Sequence, residues 1–102
     1  MITFRHGVSN FENMVLEYEG DSYATIMWAI SAIMFGARKA IMATNPKRLD
    51  VTERKIRCEY NQKTAYIAHT VICQFEWLAG MSPDCVKVER ISSRKMKENE
   101  AG

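Results

Sequence analysis

The chain has 102 residues, 47% of them hydrophobic and 25% charged, with a net charge of +2. That length accommodates one ordinary core rather than two, and the composition excludes the weakly hydrophobic, highly charged pattern of a disordered chain, so residues 1–102 read as a single domain. Cys58, Cys73 and Cys85 make an odd cysteine count in a chain rich enough in apolar residues to fold without crosslinks, which argues against a disulfide framework and for a reducing, cytoplasmic setting.

Residues 2 to 5 and 14 to 19 are short, partly alternating segments separated by Gly7-Val8-Ser9-Asn10. They read as a small antiparallel strand pair within about 2–19. Gly20-Asp21-Ser22 breaks that pattern, and Asp21 or Ser22 can accept a hydrogen bond from the first free N–H groups of a helix. Tyr23, Ile26, Met27, Ile30, Ile33, Met34, Ala37 and Ile41 then recur every three or four residues, which predicts a helix over about 22–43. Its most apolar stretch, Ala24 to Ala37, meets Arg38-Lys39 well short of the roughly 20 residues that span a bilayer. It reads as a core helix, with no membrane segment. Thr44-Asn45-Pro46 ends it, since proline disfavours helix in the residue before it and has no N–H to donate.

Asp50-Val51-Thr52-Glu53 has the form of a capping box, and Ile56, Tyr60, Ile67, Val71, Phe75 and Leu78 follow near helical spacing. A second helix is expected within 51–79, with 64–79 its best stretch. A break near Asn61, or a local hairpin there, stays open because residues 58–64 are weak helix formers. Gly80 supplies a C-terminal cap and Ser82-Pro83-Asp84 an N-cap, a first-turn proline and an acidic residue, predicting a last helix over about 83–96. These elements make the expected fold α+β and mostly helical: a short N-terminal strand pair with three or four helices packed on it as one layer.

The segment Phe75 to Arg90, through Gly80-Met81-Ser82-Pro83 and then Val86-Lys87-Val88 and Arg90, resembles the helix-turn-helix of LuxR-type transcription regulators. The resemblance covers about 16 residues, and Glu76 and Glu89 depart from the family's usual small and apolar residues. It implies that Gly80 permits the turn, that Met81 and Val86 fill the space between two helices, and that the helix from Pro83 enters the major groove. Read by helical angle alone, Lys87, Arg90, Arg94 and Lys97 form a basic stripe that could track phosphates. A second basic region runs from Arg38 to Lys63 and includes Lys47 and Arg48. The leading expectation is thus a small regulatory protein that binds duplex DNA, with a homodimer on two half-sites as its working form.

The alternative is a protein-interaction module, an inhibitor or assembly subunit that docks on a larger complex. Small size and seven methionines able to adapt to a partner suit it. His69 and Cys73, four apart on one helix face, with Cys58 and Cys85, match no compact zinc spacing, so no metal and no cofactor is expected. His6 and His69 have no arrangement around them that would activate a thiol, and no catalysis is expected. Trp28, Trp77, Phe75 and Tyr23 fall on or near apolar helical faces, where core packing is the default.

Overall fold

A computed structural model describes residues 1–8, 13–33, 46–61 and 65–91, without the side chains of 32, 33 and 65–67. Among them are strands β1 (Ile2–Val8), β2 (Met14–Glu19), β3 (Arg48–Val51), β4 (Lys55–Tyr60) and β5 (Val86–Arg90), and helices α1 (Tyr23–Ile33) and α2 (Ala65–Met81). The strands form one sheet in the order β3-β4-β2-β1-β5. β5 runs parallel to β1, and every other neighbouring pair is antiparallel. A mostly helical fold with three or four helices is therefore overturned: strands build the centre, and the described residues hold two helices.

Within 51–79 the stretch favoured for a helix, 64–79, is helical as α2, whereas Lys55–Tyr60 is strand β4. Ile56 and Tyr60 are four apart, a separation that puts two side chains on one face of a helix and equally on one face of a strand. Cys58 between them decides the matter, because Ile56, Cys58 and Tyr60 are all buried while Lys55, Arg57 and Glu59 are not, a period of two. The supposed capping box at Asp50 is the end of β3 and the turn into β4. The Thr52 N–H donates to the Lys55 carbonyl at 2.8 Å, and the Lys55 N–H returns a bond to Thr52 Oγ1 at 3.0 Å.

At the C-terminal side, Pro83 to Cys85 form a turn rather than a helical start, with the Cys85 N–H bonded to the Ser82 carbonyl at 3.0 Å. From Val86 the chain pairs with β1 instead of with itself. The Ile2 N–H donates to the Cys85 carbonyl at 2.9 Å, and the Ile91 N–H to the His6 carbonyl at 2.8 Å. β-Branched Val86 and Val88 suit that role. The expected helix over 83–96 is thus a strand up to Arg90, and 92–96 lie outside the described residues. The expected strand pair is present as β1 and β2, and the helix expected over 22–43 is described as far as Ile33, with 34–43 outside. Its N-cap is Ser22, whose Oγ accepts the Thr25 N–H at 3.1 Å.

One face of the sheet carries the core. Ile2 and Phe4 of β1, Leu16 and Tyr18 of β2, Ile56, Cys58 and Tyr60 of β4 and Val86 of β5 are buried together with Ile26, Ala29 and Ile30 of α1 and Ala68, Val71, Ile72 and Phe75 of α2. Phe75 stacks on Phe4 with ring centroids 4.3 Å apart and planes 5° from parallel, and Tyr18 tilts against both. Gly20 lets this layer close, since a Cβ there would come within 3.1 Å of Ile26 and 3.2 Å of Ile2.

The opposite face is charged, and the register arranges its charges. Glu89, Arg5, Glu17, Arg57 and Asp50 lie side by side on β5, β1, β2, β4 and β3, so that sign alternates across the whole sheet. Glu17, only 5% exposed, accepts a bond from Arg57 at 2.6 Å and has Lys55 at 3.9 Å and Arg5 at 4.0 Å. Arg5 in turn reaches Glu19 at 2.7 Å and Glu89 at 3.0 Å.

Two substitutions check this architecture. Ile30→Ala removes a fully buried side chain between helix and sheet and should cost about 2 to 5 kcal/mol in urea unfolding. Gly80, expected as a turn glycine, lies within α2, where an added Cβ meets nothing within 4 Å. Gly80→Ala should accordingly raise stability by up to about 1 kcal/mol; a loss of stability would restore the turn.

Candidate functional site

The residues expected to read DNA are not brought together. Lys47 and Arg48 sit at β3 and Lys87 and Arg90 on β5, the two outer strands, four strand spacings or about 19 Å apart. In a helix Lys87 and Arg90 would share a stripe. In a strand their separation of three sends them to opposite faces. Lys87 lies on the charged face, bonded to Glu89 at 3.0 Å, and Arg48 is bonded to Asp50 at 3.1 Å. Arg90 lies on the helix-covered side beside His6. Arg94 and Lys97 fall outside the described residues. With no helix at 83–90, the recognition helix that the resemblance implied is absent from this segment.

What the fold does assemble is a cleft of about 590 Å³ at the end of the sheet where β1 and β5 finish. His6, Val8, Met14 and Arg90 form its floor, and His69 and Ile72 of α2 its wall. The floor is divided by the register: Arg90 is the neighbour of His6, and Met14 the neighbour of Val8. One half is therefore basic and the other apolar. The same residues are scattered in sequence over more than 80 positions, and only the parallel pairing of β5 with β1 unites them. Considered separately, His6 and His69 carry no spacing signal, and no sequence pattern would have found the cleft.

The His6 imidazole is held below its ordinary value, chiefly by burial and further by Arg90 and His69, against the pull of Glu76. Cys58 is sealed in the core, and burial pushes its thiol up to about 11, outweighing a hydrogen bond from Tyr60 that favours the thiolate. It is accordingly inert as a nucleophile at neutral pH. Cys73 and Cys85 are exposed thiols. Among the described residues no three His, Cys, Asp or Glu side chains are arranged to hold a metal ion.

A second feature belongs to the helical side. α1 contains no Asp, Glu, Lys or Arg, and α2 contains only Glu76. Trp28 and Trp77, expected in the core, are each 65% exposed, as is Met81 one turn after Trp77, while Phe75 alone of the aromatic side chains of α2 that are described takes the core position. Leu49 and Val51 of β3, on the same side of the sheet, remain 38% and 50% exposed. No helix among the described residues is long and apolar enough to cross a membrane.

No protein-family model and no curated protein matches the chain.

The depressed His6 value fixes a direction of pH dependence. Because folded His6 resists protonation, the unfolded chain takes up more protons below pH 6.5, the ordinary histidine value. The stability that depends on neutral His6 is thus fully present above that pH and is lost as the pH falls through it. Urea midpoints between about pH 7.5 and 5.5 should fall, and His6→Gln should flatten part of the decline. An identical slope in the variant would show that His6 is not the group responsible.

Proposed function

We propose that this protein is a non-enzymatic interaction module that acts as an assembly subunit, docking through its helical side on a second copy of itself. The observation that carries the reading is the near absence of charge on α1 and α2 combined with the exposure of Trp28, Trp77 and Met81. A protein surface ordinarily has about a quarter of its residues charged. A helical layer with one such residue resembles the apolar interfaces of homodimers, which carry less charge than transient contacts do. Tryptophan and methionine are among the residues enriched at such sites.

A second copy suits this side better than a charged partner. The described layer offers Glu76 as its one formal charge, so it has little to complement a charged partner and little to repel its own image in a two-fold contact. The duplex-DNA reading lacks comparable support, because those of its basic residues that are described, Lys47, Arg48, Lys87 and Arg90, lie at opposite edges of the sheet and two of them are already paired.

Sedimentation velocity across a range of concentrations tests the proposal. The wild type should be dimeric at about 100 µM, and Trp28→Glu with Trp77→Glu should be monomeric with an unchanged far-ultraviolet circular dichroism spectrum. A wild type that stays monomeric at that concentration would overturn self-docking. Retention on duplex DNA at low salt, lost in Lys87→Ala with Arg90→Ala, would reinstate nucleic-acid binding in its place.

A further inference from the structure

We propose that the cleft at the end of β1 and β5 binds a small phosphate monoester carried on an apolar or aromatic body, a site separate from the self-docking side. The cleft's volume of about 590 Å³ falls within the roughly 300 to 1,000 Å³ of pockets that enclose small ligands. Its two halves match two parts of such a molecule. His6, Arg90 and His69 converge from two strands and a helix on one half, and three donors of this kind suit a phosphate better than a single carboxylate, for which one arginine fork suffices. Val8, Met14 and Ile72 line the other half.

Arg90 is available for this role. Lys55, Arg57 and Lys87, the other strand cations nearest to it in kind, are engaged on the charged face with Glu17, Glu59 and Glu89. Arg90 points to the other side of the sheet, where the groups acting on the cleft are His6, His69 and Glu76. Glu76 stands seven residues after His69 on α2, two turns further along the helix. Its carboxylate offsets part of the positive charge and so works against an anion there, which leaves Arg90 and the histidines as the groups that outweigh it. His6 is the adjustable part: a phosphate placed between it and Arg90 supplies more counter-charge than the Glu76 carboxylate alone gives it in the free protein.

Titration calorimetry at low ionic strength with phenyl phosphate, adenosine 5′-monophosphate, inorganic phosphate and phenol tests the assignment on the full chain. One or both of the organic phosphates should bind more tightly than inorganic phosphate, and phenol should not bind. The two esters distinguish a simple aromatic body from a nucleoside. Arg90→Ala should weaken ester binding about tenfold or more. Val8→Ser, at a position 50% exposed and so tolerant of change, should weaken the esters while leaving inorganic phosphate nearly unaffected. In parallel, the histidine ring protons followed by NMR should show His6 titrating at higher pH when the ester is saturating. That movement would not arise if His6 were only structural. Binding of phenol as tight as that of the ester, no binding of either ester, or unchanged affinity in Arg90→Ala would overturn the site. None of these results depends on whether the helical side self-associates, which the sedimentation measurement reads independently.

Discussion

Glu17 occupies the middle residue row of the middle strand, almost sealed from water, and its charge is tolerable only because Arg57 and Arg5 flank it on the two neighbouring strands. A buried carboxylate that loses its partners is strongly destabilising. That requirement reaches beyond one pair. A shift of one residue in any strand would send its apolar set to the charged face and break the alternation of sign that now runs from Glu89 to Asp50. The ion row therefore acts less as a source of net stability than as a specification of register for the whole sheet.

Once the register is set, the other features follow from alternation. Arg5 and the charged neighbours of the odd positions of β1 carry the ions, apart from Val15, which is buried with Ile91, and even positions carry Ile2, Phe4 and their partners to the helices. The stack of Phe75 on Phe4 then anchors α2 above the sheet's centre. The same geometry concentrates the formal charge of the described strands on one side and leaves the helices on the other nearly without any. A surface of this kind is expensive in water unless something covers it, and the exposed tryptophans stand where a cover would sit.

The cleft arises from a different consequence of the same register. At the end of β1 the inner row changes from apolar to polar, so that His6 meets Arg90 where Phe4, two residues earlier, meets Val88. α2 passes over this row with His69 and Ile72, and the floor there is too polar to close as core. A basic recess beside an apolar one is what remains. The exposed Trp77 and Met81 and the recess use different residues of α2.

The sequence by itself determined the strand pair at the N-terminus, the start of α1 with a cap at Asp21 or Ser22, the core role of Ile26 and Ile30, and the helix through Val71 and Phe75. In each case the local pattern admits one period. It did not determine β4 or β5. Ile56 and Tyr60, four apart, satisfy helix and strand alike, and Ser82-Pro83-Asp84 begins a turn as readily as a helix. Those segments become strands because β2 and β1 offer unpaired edges with complementary charges, Glu17 for Arg57 and Arg5 for Glu89. These are contacts across 40 and 84 positions of sequence. The cleft and the exposure of Trp28 and Trp77 were likewise decided only by tertiary structure, since a residue's place on an apolar helical face says which way it points but not whether anything lies there to meet it.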